Sequence, residues 1–163
     1  MTIRPATAQD IPSVLPMVTK IARFHEDLDA AKYGLDEDPA ESYRSWLAER
    51  ARDQRSVFLV ADAASSGEPP RLVAFLVGGV HREIPIYRLK EYGFIYDLWV
   101  EEPYRNEGIA RQLVTLALER FEQIGVEQVR LDTLITNAAA RGLFKACGFR
   151  ESVVEMLIDV RTS

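Results

Sequence analysis

Glu91-Tyr-Gly-Phe-Ile-Tyr-Asp-Leu-Trp-Val-Glu-Glu-Pro-Tyr-Arg-Asn-Glu-Gly-Ile-Ala-Arg-Gln-Leu-Val114 is the stretch around which the rest of the chain is organised. Phe94 to Val100 is a nearly unbroken apolar run, the pattern of a strand buried on both faces, and it holds one carboxylate, Asp97. Pro103 breaks the ladder, and within a few residues a helical repeat begins. The join, Arg105 to Ala110, is short and charged, and Gly108 and Ala110 give it two positions with almost no side chain. A strand feeding such a turn into a helix start leaves backbone N–H groups unpaired, where the helix dipole favours negative charge. The expectation is an anion site, most often one for phosphate.

Working outward from this stretch, apolar residues at Ile109, Leu113, Leu116, Ala117, Phe121 and Ile124 predict a helix, with Gly125 at its left-handed cap. Val126 to Leu134 then reads as a strand, Ala138 to Cys147 as a helix opened by Asn137, and Phe149 to Val160 as a last strand. Upstream, Thr2 to Arg4 is a short strand, and Thr7 with Asp10 resembles a capping box ahead of an amphipathic helix beginning near Ile11. Pro16 inside that helix predicts a kink or a late start. A second helix carries Tyr43, Trp46 and Leu47 on one side. Ser56 to Ala61 and Leu72 to Val80 form an antiparallel hairpin around the turn-rich segment 63–70, with Gly78-Gly79 marking a bulge or a strand end. The order β-α-α-β-β-β-α-β-α-β predicts one α/β domain over residues 1–163, a mixed, mostly antiparallel central sheet flanked by helices.

Composition narrows the function. A chain of 163 residues can bury a real core as a single domain. Its net charge of −5 argues against a nucleic-acid partner, which needs a basic stripe to neutralise phosphates. The single cysteine, Cys147, permits no internal disulfide and suggests a reducing compartment. The longest apolar run, Leu72 to Val80, is too short to cross a bilayer, so a cytoplasmic protein with no membrane partner is expected. His25 and His81 have no companions at metal-ligand spacing, so no metal is expected and the two read as surface or substrate-lip residues.

Two motifs taken together are more specific than the turn alone. Val100-Glu-Glu-Pro-Tyr-Arg-Asn-Glu-Gly-Ile-Ala110 resembles the V-x-x-x-x-R-x-x-G-x-G/A signature of the GCN5-related N-acetyltransferases, the GNAT superfamily. Asn137-Ala-Ala-Ala140 with Leu143-Phe-Lys-Ala-Cys-Gly-Phe149 resembles that family's N-x-x-A-x-x-L-Y-x-x-x-G-F. Both lie in the family's order, and the resemblance covers essentially the whole chain. It implies a GNAT-like fold, acetyl-CoA as donor and a primary amine as acceptor. It implies that Arg105, Asn106, Glu107, Gly108, Ile109, Ala110 and Arg111 cradle the pyrophosphate. Leu98, Trp99 and Val100 would pair their main chain with the pantetheine arm, like an added strand. Asn137 would hydrogen-bond that arm from the other side, with Ala140 and Phe144 lining the slot. The family often has two strands after Gly148-Phe149, against one here, so completion of the sheet edge by a second subunit, a homodimer, is expected.

The chemistry sets its own demand. A lysine-like amine has a pKa near 10.4, so holding it neutral at pH 7 costs roughly 4–5 kcal/mol, and something must accept its proton. Asp97, on a strand face read as shared with Ile95 and Trp99, is one candidate base. Asp132, five residues before Asn137, is the other, where relatives that acetylate protein N-termini carry a Glu. Each has a plainer reading: Asp97 satisfied by backbone N–H groups, Asp132 paired with Arg130. At Phe144 the family usually has a Tyr credited with protonating the departing thiolate. A phenyl ring cannot do so, leaving Tyr96 or a water as substitutes. The alternative is a protein that binds acyl-CoA as a sensor or interaction module with little turnover.

Overall fold

The computed structural model describes residues 1–35, 38–64 and 71–160. Strand β1 (Thr2–Pro5) leads through a short 3-10 turn into helix α1 (Ile11–Leu28), followed by the four-residue α2 (Ala30–Tyr33) and by α3 (Pro39–Arg52). Then come β2 (Val57–Ala63), β3 (Arg71–Arg82), β4 (Glu91–Val100), α4 (Ile109–Ile124), β5 (Val129–Leu131) and α5 (Ala138–Ala146). The sheet has the order β1-β2-β3-β4-β5, antiparallel except for the parallel β4–β5 pair. The mixed, mostly antiparallel α/β fold is thus the one expected.

Side-chain alternation along the central strands splits the core into two layers. Val57, Leu59 and Leu76 face α4, packing with Leu113, Val114, Ala117 and Phe121. Phe58, Val60, Phe75 and Val77 face the other way, against Val14, Met17, Val18 of α1 and Leu47 of α3. Phe75, Leu76 and Phe121 are fully buried, and each such side chain is worth about 1.5–3 kcal/mol relative to exposure. The Thr7–Asp10 capping box is formed, with the Thr7 N–H donating to Asp10 Oδ2 at 2.7 Å. Helix α1 runs unbroken through Pro16, so the expected late start does not occur. Gly125 caps α4 in the left-handed conformation, φ 92°.

Three features shape the site. Val77 pairs with Asp97 and Gly78 with Ile95, so Tyr96 is an extra residue, a bulge in β4. The bulge reverses the facing of what precedes it: Ile95 packs toward α4, while Asp97 stays with Trp99 on the α1–α3 side. The expected common face for Ile95 and Asp97 is therefore corrected. Second, a Cβ on Gly93 would stand 2.7 Å from the Phe121 ring, and one on Gly78 would stand 2.7 Å from the Phe94 carbonyl. The missing side chains let α4 press Phe121 against the sheet just where the bulge occurs. Third, β5 pairs with β4 only from Gly93 to Ile95, and the two strands part beyond that point.

The C-terminal reading needs two corrections. Val126 to Leu134 contributes only Val129–Leu131 to the sheet. Residues 150–160 form no strand; they are exposed throughout, and Val153, Met156 and Val160 are 86%, 92% and 88% exposed. Their apolar side chains find no neighbouring strand within the described chain. The linker read as hairpin loop lies largely outside the described residues, while its flanking strands pair as expected.

Candidate active site

Where β4 and β5 part, a cleft of about 1760 Å³ opens. Pockets for single small ligands occupy about 300–1,000 Å³; this one is larger because it runs from the α4–α5 side of the sheet through to α1 and α2. One wall carries Leu98, Trp99, Val100, Arg105, Asn106, Gly108, Ile109, Ala110 and Arg111, the other Asn137, Ala140 and Phe144. Every residue expected to touch the donor thus lines one cleft, except Glu107, which stays outside it.

The geometry of the donor wall follows from its backbone. The Glu101 N–H bonds the Val73 carbonyl of β3 at 2.8 Å. By strand alternation, Leu98 and Val100 then turn their polar groups to the opposite, open edge. The Val100 carbonyl on that edge accepts from Arg105 Nε at 2.9 Å, and the Arg105 guanidinium lies 4.7 Å over the Trp99 ring. Asn106 and Gly108 both have positive φ, 66° and 81°. Both lie in the left-handed region just ahead of α4, whose first N–H groups have no helical acceptor. Across the cleft, Asn137 caps α5 by accepting from the Ala140 N–H at 3.1 Å. Its amide NH2 has no protein partner among the described residues. Phe144 is buried, edge-on to Phe149 at 5.6 Å between centroids, and brings no hydroxyl.

At the other end stands Asp97. Its Oδ2 accepts a 2.5 Å bond from the Tyr43 hydroxyl of α3. Its Oδ1 has no protein partner among the described residues, and Arg50 Nε is the one side-chain polar atom found both buried and unpaired there, so Oδ1 reaches the cleft. Protein packed around the carboxyl raises its pKa, an effect that the Tyr43 bond and the nearby His25 oppose without cancelling. Burial and the Asp97 charge together push the Tyr43 hydroxyl far up, so it remains a donor. The other candidates stand elsewhere. Asp132 is exposed, one residue past β5, on the cleft wall facing β4. The Arg130 pair expected for it does not form: Arg130 binds Glu83 at 2.7 Å and stacks 3.8 Å over Tyr92. Tyr96 leans across β3, its hydroxyl 2.7 Å from His81 Nε2, over Gly79.

The acetyltransferase (GNAT) family model matches residues 21–149. The chain belongs to this family. It is 29% identical to yeast (Saccharomyces cerevisiae) N-alpha-acetyltransferase 30 over 130 residues, 78% of this chain and 71% of that one. It is 36% identical to the Arabidopsis thaliana N-alpha-acetyltransferase MAK3 over 73 residues, 45% of this chain and 38% of the relative. Among solved structures, a mutant of a Bacillus halodurans protein superimposes with a TM-score of 0.85 at 22% identity, covering 99% of this chain and all of that one; this likeness is one of fold.

In this GNAT protein the cleft wall from Leu98 to Arg111 was legible in the sequence, because its motif residues are contiguous. The acceptor end was less visible. Tyr43 shares an apolar helix face with Trp46 and Leu47 and reads as core until the bulge turns Asp97 toward it. His25 read as surface or substrate lip, and it does line the cleft, beside Phe24 and Tyr33. The signal that could have found both was Asp97 itself: a carboxylate in an apolar strand requires a polar partner on the elements packed above it.

Proposed function

We propose that this GNAT protein transfers the acetyl group of acetyl-CoA directly to a primary amine, with Asp97 as the base. The observation that carries this reading is the single open oxygen of Asp97, facing a cleft that the donor wall enters from the other side. The donor wall fits acetyl-CoA. Unpaired N–H groups between Arg105 and Arg111 suit the pyrophosphate, the open edge at Leu98 and Val100 suits the amides of the pantetheine, and the Asn137 NH2 faces them. Bound there, acetyl-CoA supplies a thioester carbon for the amine lone pair to attack. Its thiolate is a tolerable leaving group, since a thiol has a pKa near 8.5, so the absence of a hydroxyl at Phe144 does not forbid turnover. Asp132 remains the rival base and Tyr96 the rival acid.

The acceptor is a small amine, an amino acid derivative or a protein amine; the N-alpha-acetyltransferases among the relatives favour the last. A net charge of −5 and the paucity of cysteine support a cytoplasmic enzyme without nucleic-acid or membrane partners. No helix among the described residues is long and apolar enough to cross a membrane. A homodimer is supported by the exposed apolar segment 150–160. The deciding experiment mixes protein, acetyl-CoA and a panel of alkylamines, amino acid amides and peptides, and traps released CoA thiol. Acceptor-dependent release is expected. Tight CoA binding with no release for any acceptor would instead favour the sensor reading that Phe144 suggests.

A further inference from the structure

Acetylation of an ammonium by a thioester yields an amide, a free thiol and one net proton. If Asp97 takes that proton, as proposed above, it must be discharged before the next turnover. With amine and thioester filling the cleft in front of Oδ1, the groups packed around Asp97 limit where it can go. From α3, Tyr43 already donates to Oδ2, and a neutral phenol oxygen is too weak a base to carry the proton away. On β4 itself, the Tyr96 hydroxyl is turned away to His81, and Trp99 offers only an N–H, directed to Glu101. From β3 the paired residue is Val77. From α1 comes His25, which lines the same cleft as Asp97 on the helix turn packed over Trp99, and its charge acts on the carboxylate.

The placement of His25 suits a proton carrier. Its neighbour Phe24 packs edge-on to Trp99 at 6.3 Å, which sets this turn of α1 over the Asp97–Trp99 face of β4. Its own ring lies against Tyr33 of α2 at 5.4 Å and lines the cleft. Neither ring nitrogen has a protein partner among the described residues, and neither is buried, so one can face the site while the other meets water. The charged groups nearby leave it unpaired. Asp29 caps α2 through the Lys32 N–H, and the Lys32 ammonium is bound by Glu155. We infer that His25 is the residue that carries the acceptor's proton from Asp97 to solvent, with Tyr43 as the residue that positions Asp97 for the transfer. Half-burial lowers the His25 pKa more than Asp97 raises it, so the ring is neutral and able to accept at pH 7.

The balance is simple. The ammonium N–H bond breaks, the proton forms an O–H bond at Asp97 Oδ1, and it passes to a His25 nitrogen and then to water. The thiolate takes up the second proton lost by the nitrogen as the amide forms. This inference rests on the acetyltransferase reading, and the test separates the two. The rate profile against pH is measured for wild type, His25→Ala and His25→Gln with one amine and acetyl-CoA, with and without added imidazole. Expected is a fall in kcat of about 10–100-fold at pH 7 in both variants, at the low end of acid–base contributions. KM for acetyl-CoA should stay unchanged, and imidazole should restore part of the rate. A lost aromatic contact alone would not respond to imidazole. Variants within twofold of wild type at every pH, or a loss that imidazole leaves untouched, overturn the role of His25 while the acetyltransferase reading stands. Absence of transfer by the wild type to any amine overturns both.

Discussion

Asp97 shows how one buried carboxylate ties stability to chemistry. Its pKa is raised in the folded protein because desolvation outweighs the Tyr43 bond. For an acid the sign follows: between the unfolded pKa, near 3.9, and the raised folded value, the native state binds more protons, so stability falls as pH rises through that window. Asp97→Asn keeps an acceptor for Tyr43 and removes the charge. It should raise the melting temperature at pH 8 and have little effect below about pH 3, where the aspartate is protonated folded and unfolded alike; at this chain length 1 kcal/mol moves Tm by about 2–4 °C. The same variant should lower kcat by roughly 100-fold or more, in the range for a lost general base. Asp132→Asn, altering an exposed residue, should leave kcat within a few-fold. The opposite ranking in steady-state assays would transfer the role of base to Asp132. Tyr43→Phe should cut kcat less than Asp97→Asn and shift the pH profile, since Oδ2 loses its donor.

At the scale of elements, the loop between β4 and α4 can be tested through Gly108. Its φ of 81° is unfavourable for any other residue, yet a Cβ there would meet nothing within 4 Å. Gly108→Ala should therefore cost about 1–2 kcal/mol through backbone strain alone. Relaxation of that strain would turn the loop N–H groups away, weakening CoA about tenfold by calorimetry while Asp97-dependent chemistry persists at saturating donor. Unchanged CoA affinity would place the pyrophosphate elsewhere. This loop was readable in the sequence because its chemistry is local: a strand, a proline, a glycine and a helix repeat within two dozen residues. The bulge at Tyr96 was not, since register is a property of two strands, and nothing in Phe94 to Val100 alone says which residue β3 will leave unpaired. Nor was the extent of β5. Val126 to Leu134 has the composition of a longer strand, but only Val129–Leu131 finds a partner, because β4 turns away beyond its bulge.

The whole molecule leaves one physical imbalance, at its C-terminal side. Segment 150–160 has no regular secondary structure, and Val153, Val154, Met156, Ile158 and Val160 are each more than three-quarters exposed, Val154 the least at 79%. Apolar residues on both faces are the pattern of an interior strand, which explains why Phe149 to Val160 reads as one in the sequence. Among the described residues, ion pairs tie the segment to its own chain: Glu151 to Arg141 and Lys145, and Glu155 to Lys32. The receiving surface of a second copy offers those same basic groups, so two chains can satisfy each other by a symmetric contact, the commonest form of homodimer. Burying five such side chains from each chain, ten in all, is worth about 15–30 kcal/mol at about 1.5–3 kcal/mol apiece, before the cost of association. Light scattering at tens of micromolar should therefore give twice the chain mass of 18.4 kDa, and Met156→Asp with Ile158→Asp should give the single mass with the fold intact by circular dichroism. A monomeric wild type would mean that some other surface covers this segment. A dimer that survives both charges would move the interface away from the segment. Because residues 151–155 also line the cleft and Glu155 binds Lys32 of α2, beside His25, loss of the dimer should raise KM for the amine more than KM for acetyl-CoA.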